Sequence, residues 1–135
     1  CPACGSVSST VTAGALAQQG SDVSAEERAA VTEMAAETLA HAIRTGEPVT
    51  LLDVRTEAEL AIARIGGDLS IPVAELGDRI GEVARDGRVV CYCHKGARSR
   101  RAAALLKRAG FDEVLSLEGG IDAWSRAVDP SVPRY

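Results

Sequence analysis

The residues Arg88-Val-Val-Cys-Tyr92 form a continuous run with no polar alternation after Arg88. A strand that leaves one face in water alternates polar and apolar side chains. One buried on both faces does not, and double burial is the habit of parallel sheets covered by helices. Other short apolar runs accompany it: Val49–Val54, bounded by Pro48 and Arg55; Leu69–Ile71, closed by Pro72; and Val114–Leu117, followed by Gly119-Gly120. Helical signals separate them. They cover Glu37–Arg44 ending at Gly46, Thr56–Ala63, a single helix through Val73, Leu76, Ile80 and Val83 stopped by Gly87, Ser99–Ala109 ended by Gly110, and Ile121–Ala127 with the sole tryptophan, Trp124. Strands alternating with helices predict a small α/β domain on a parallel sheet. In such sheets, sites lie beyond the carboxyl ends of the strands, where Cys93–Arg98 falls.

The ends of the chain read differently. Residues 1–20 contain no charged side chain and are rich in Ser, Thr, Ala, Gly and Gln; residues 1–30 are therefore read as tail or linker and 31–135 as the domain. Ser24-Ala-Glu-Glu27 matches a capping box ahead of a helical stretch, while Val31–Met34 also suits a short strand, and both readings of 25–34 stand. Asp129-Pro-Ser-Val-Pro-Arg-Tyr135 is too proline-rich to be regular. The length of 135 residues suits one domain, and 46% apolar residues suffice for a core, although 3% aromatics make it a core of Ala, Val, Leu and Ile. A net charge of −4 argues against a nucleic-acid binder, and no run reaches membrane-spanning length or resembles a signal peptide, so a cytoplasmic setting is expected.

Chemistry concentrates in Cys93-His-Lys-Gly-Ala-Arg-Ser99, which joins the buried strand to a helix start. Such a loop can turn successive backbone N–H groups toward one centre, and the helix dipole adds positive potential there. Gly96 supplies backbone freedom, and Arg98 can grip an oxyanion with two hydrogen bonds. From Cys91 to Phe111 the chain carries six Lys or Arg and no Asp or Glu, a local reversal in an acidic protein that favours thiolates and anionic substrates. Cys93 heads the loop and is the candidate nucleophile. Cys91 lies two residues earlier on the same face of the strand and is read as structural. His94 is read as a loop-surface residue rather than a general base.

These residues resemble the active-site loop of the rhodanese family. Other family marks follow in register: Leu51-Leu-Asp-Val-Arg55, Ile71-Pro72 and Gly119-Gly-Ile-Asp-Ala-Trp124, so that the resemblance covers roughly residues 31–135. It implies a rhodanese-like fold, a five-stranded parallel sheet flanked by helices. It also implies a sulfurtransferase activity in which Cys93 accepts sulfane sulfur within a loop of His94, Lys95, Gly96, Ala97, Arg98 and Ser99. Asp53 and Arg55 are then supports of the site, or simply a strand-end ion pair. The implied donors are thiosulfate or a persulfidated desulfurase, and the implied acceptor is a sulfur carrier protein with an adenylated C-terminus. No organic cofactor is implied. The family's Gly-His-Ile-Pro-Gly segment is replaced here by Ala63-Arg-Ile-Gly-Gly67.

Two rivals remain. Phosphatases of related fold place five residues between Cys and Arg, whereas four separate Cys93 from Arg98, a tighter ring better suited to one added sulfur. A non-catalytic binding module of the same fold could dispense with Cys93. At the other end, Cys1-Pro-Ala-Cys4 has the shape of half a zinc site, with a pair of unmetallated cysteines as the alternative. The half site resembles the zinc-binding tail of adenylyltransferases that act on sulfur carrier proteins. Some of these carry a C-terminal rhodanese domain and end in a Pro-containing run with a final Tyr, here Pro130–Tyr135. With Cys1 rather than Met at its start, the chain is read as a fragment of such a protein, with zinc in the full-length form.

Overall fold

The computed structural model describes residues 23–65, 69–84 and 87–135. Cys1, Cys4 and the Gly66-Gly67 pair lie outside the described residues. The elements are α1 (Ala25–Ala29), β1 (Thr32–Met34), α2 (Ala36–Arg44), β2 (Val49–Asp53), α3 (Glu57–Ile62), β3 (Leu69–Ser70), α4 (Val73–Leu76), β4 (Arg88–Tyr92), α5 (Ala97–Arg108), β5 (Glu113–Leu117) and α6 (Gly120–Ala127). All five strands are parallel, in the order β1-β5-β4-β2-β3. No helix among the described residues is long and apolar enough to cross a membrane.

β4 lies at the centre and is buried on both faces, as its unbroken apolar run predicts. Val89, Cys91 and Cys93 enter one core with Leu52, Leu76, Ala102 and Leu106; Val90 and Tyr92 enter the other with Leu39, Leu117, Ile121 and Trp124. Residues 25–34 hold both features that their sequence suits: a helix whose Ser24–Glu27 capping box is complete, then β1. The domain begins earlier than residue 31. Val23 is buried in the same core as Leu106, and Glu27 of α1 pairs with Arg108 of α5 at 2.7 Å, so the compact body takes in residues 23–30.

The single helix expected from Val73 to Val83 is two pieces. α4 stops at Leu76, and a 3₁₀ turn spans Ile80–Glu82. Gly77 and Gly81 each disfavour helix by about 1 kcal/mol relative to alanine, while Leu76 and Val83 are both buried without a continuous helix to carry them. Apolar spacing of three and four residues is satisfied by two separate turns as well as by one long element.

The register brings the carboxyl ends of β2, β4 and β5 to one edge of the sheet: Asp53 sits opposite Tyr92, and Cys91 opposite Ser116. The chain leaving β4 is fixed there from behind. Ile121 N–H donates to the Cys93 carbonyl at 2.8 Å, and Asp122 N–H to the His94 carbonyl at 3.1 Å. The first turn of α6 thus supplies otherwise unpaired donors to the loop. This approach needs Gly120, which has φ +60°; a Cβ there would run into the Cys93 carbonyl oxygen and lie 2.5 Å from the His94 carbonyl oxygen. Gly120→Ala should destabilise the fold by about 2–4 kcal/mol, combining a left-handed backbone with a steric clash. Urea denaturation midpoints of the two proteins check this.

Candidate active site

Cys93 directly follows β4 and is 1% exposed. With its carbonyl and that of His94 turned back onto α6, the loop directs N–H groups inward. Gly96 N–H donates to Cys93 Sγ at 3.1 Å and Ser99 N–H at 3.4 Å. Gly96 stands at φ +122° as the residue before α5, a conformation that side chains disfavour. The sulfur therefore faces the start of a 12-residue helix, the environment expected for a nucleophilic thiol.

Beneath the sulfur lies a pair of fully buried hydroxyls. Ser99 Oγ donates to the Gly96 carbonyl at 3.0 Å and lies 2.7 Å from Ser116 Oγ and 3.5 Å from Cys93 Sγ. With its own proton on the carbonyl, the Ser99 oxygen is left to accept from Ser116 and from the Cys93 thiol. Cys91 shares the strand face but not the donors. Burial pushes its thiol far up, and the neighbouring Cys93 adds to this, so Cys91 stays protonated at neutral pH.

Asp53 and Arg55, both fully buried, form a two-pronged pair: Arg55 Nη2 donates to Asp53 Oδ2 at 2.7 Å and Nε to Oδ1 at 3.0 Å. The guanidinium spends its other hydrogens on the Ala63 carbonyl at 2.6 Å, Tyr135 Oη at 2.9 Å and the Glu59 carbonyl at 3.4 Å. Arg55 thereby ties β2, α3 and the C-terminal segment together beside the loop. Among the described residues, no hydrogen bond links Arg55 or Asp53 to Cys93; the pair joins the elements around the loop.

The rest of the loop departs from expectation at Arg98. Its two-pronged grip is taken by Glu59, at 2.6 Å and 2.8 Å, rather than left open for a substrate oxyanion. Lys95 and Ala97 are exposed. His94 is partly buried and stacks on Tyr135, with ring centroids 4.0 Å apart and planes 10° from parallel. Tyr135 Oη donates to Glu59 Oε2 at 2.7 Å. The tail that carries Tyr135 is irregular, as its prolines imply, yet pinned: Ser125 Oγ donates to the Val132 carbonyl at 2.6 Å, and Arg134 pairs with Asp122 at 3.0 Å. Glu59 and Tyr135 are site residues that the sequence reading missed. The one available signal was the Thr56–Glu59 capping box, which is complete on α3 but announces a helix start rather than a loop partner.

A parallel sheet whose central strand delivers one cysteine into a ring of helix-start amides defines an α/β domain built around a single thiol. The chain belongs to the rhodanese-like domain family, whose model matches residues 35–127. It is 42% identical over 96 residues to a sulfurtransferase of Allochromatium vinosum, covering 71% of this chain and 90% of that one. It is 36% identical over 93 residues to the probable adenylyltransferase/sulfurtransferase MoeZ of Mycobacterium tuberculosis, covering 67% of this chain but only 24% of the larger protein. A rhodanese-related protein from Thermoplasma volcanium superposes with a TM-score of 0.67 at 30% identity, covering 77% of this chain and 99% of that one.

Glu59 also carries a pH signature. The Arg98 hydrogen bonds hold its carboxyl well below the usual carboxylate range, against the opposing pull of partial burial, and the Tyr135 bond adds to the effect. A depressed folded-state pKa contributes stability above the unfolded value, near 4.3, and loses it as pH falls below that value toward the folded one. The stability gap between wild type and Glu59→Gln should therefore shrink as pH is lowered from about 6 to about 3. Denaturation series at several pH values read it.

Proposed function

We propose that this chain is a sulfurtransferase that carries sulfane sulfur as a persulfide on Cys93. The observation that carries the reading is the pair of backbone N–H donors, from Gly96 and Ser99, that converge on Cys93 Sγ at the start of α5. Such donors stabilise negative charge on sulfur, on the thiolate and on the persulfide formed from it. With thiosulfate as donor, the Cys93 thiolate attacks the sulfane sulfur. A Cys–S bond forms, the S–S bond to the sulfonate breaks, and sulfite leaves with the electron pair. A nucleophilic acceptor, cyanide in a test reaction, then bonds the outer sulfur, and the electron pair returns to Cys93 as thiolate. His94, Lys95, Ala97 and Arg98 line the approach, while Gly96 and Ser99 hold the sulfur.

The relatives support the wider setting. MoeZ is named as an adenylyltransferase/sulfurtransferase, which favours a persulfidated protein as donor, a sulfur carrier protein as acceptor and a fused adenylyltransferase as partner. In that setting Cys1 and Cys4 would supply two of the four thiolates that a structural zinc needs. The sulfur chemistry uses side chains and backbone of the domain alone.

Cys93→Ser should abolish sulfur transfer from thiosulfate to cyanide, while Cys91→Ala should keep most of it, because only Cys93 meets the loop amides. Thiocyanate formation measures both. Substantial turnover by the Cys93 variant refutes the assignment.

A further inference from the structure

Arg98, in the first turn of α5, lies between the two residues whose amides meet the sulfur, Gly96 and Ser99, and its charge is already answered. Both Glu59 carboxylate oxygens are committed to it, at 2.6 Å and 2.8 Å. Glu59 is itself held in place from two further sides. Tyr135 Oη donates to Oε2 at 2.7 Å, and Thr56 N–H donates to Oε1 at 3.2 Å. The Glu59 side chain is 17% exposed and the Arg98 side chain 34%, so the pair sits at the rim of the site rather than free in solvent. The Tyr135 ring is fixed in turn, by stacking on His94 and by the buried Arg55. A fork-to-fork pair held by this many neighbours loses little side-chain entropy on forming and is worth more than an ordinary surface ion pair. An anionic substrate that reaches for Arg98 must first displace Glu59 or bind beside its negative charge.

We propose that Glu59 is a specificity-determining residue that withholds Arg98 from small anionic donors such as thiosulfate and biases the site toward donors with less charge around the transferred sulfur. This rests on the reading of Cys93 as the sulfur carrier and adds the donor class. Thiosulfate is a dianion of few atoms and brings both charges to the loop. A persulfide on a protein carrier brings at most one, on the sulfur that the Gly96 and Ser99 amides already face. The Tyr135 hydroxyl acts through Glu59 by keeping its carboxylate on Arg98.

The test is Glu59→Gln, which keeps a residue suited to the α3 capping box while removing the charge. Thiosulfate binding is measured by calorimetry in the Cys93→Ala background, with and without Glu59→Gln, so that no sulfur is transferred. Affinity should rise about tenfold when the charge is removed. Unchanged or weaker affinity, or no binding by either protein, overturns the proposal. In the Cys93-containing protein, alkylation by anionic iodoacetate should gain relative to alkylation by neutral iodoacetamide, a ratio that cancels any change in the thiolate fraction of Cys93. If both reagents gain equally, the loop has opened rather than lost a charge, and the proposal fails. Thiocyanate assays run in parallel separate the two readings: tighter thiosulfate binding without any sulfur transfer by the Cys93 protein refutes the sulfurtransferase reading alone, and transfer without a change in affinity refutes the role of Glu59 alone.

Discussion

The buried guanidinium of Arg55 is the interaction on which the rest of the site depends. A charge taken fully out of water is costly unless its partner and its hydrogen bonds are complete. Here Asp53 answers the charge, and the Ala63 carbonyl and Tyr135 hydroxyl take most of the remaining hydrogens. Each of those partners comes from a different part of the chain. Satisfying one side chain therefore sets the exit of β2, the end of α3 and the path of the C-terminal segment together. Removing Asp53 would leave an unanswered buried charge, a far larger loss than the net worth of the pair.

A second arrangement, at the first turn of α6, makes the loop what it is. Backbone N–H groups can face the sulfur only if the carbonyls of the same peptides face away and still find donors. The first turn of α6 meets that need at Cys93 and His94, and Gly120 lets it come close enough. The Gly119-Gly120 pair, 26 residues downstream of the cysteine, is thus as much a part of the active loop as Gly96 within it.

Local features were legible in the residues alone. The unbroken apolar run of β4, the capping box at Ser24 and the strand–loop–helix passage at Cys93 each announce themselves within a few positions, because burial on two faces, a cap and a glycine turn all leave local marks. Gly77 and Gly81 carried the warning that Val73–Val83 would break, but the apolar spacing masked it. Glu59 and Tyr135 were out of reach for a different reason. Glu59 meets Arg98 across 39 positions and Tyr135 across 76, and a pairing of single side chains at such separations produces no periodicity. Arg98 shows the same limit: its chemistry is plain in the sequence, but its partner Glu59 is not.

The sheet ends in very short strands on both sides, three residues in β1 and two in β3. Edges of this length offer few unpaired backbone groups, so neither side is a useful template for another chain to extend the sheet. A partner that approaches this domain must recognise side chains and loops, not add a strand. The same brevity lets the domain sit beside others in a longer polypeptide without the hazard of sheets fusing edge to edge.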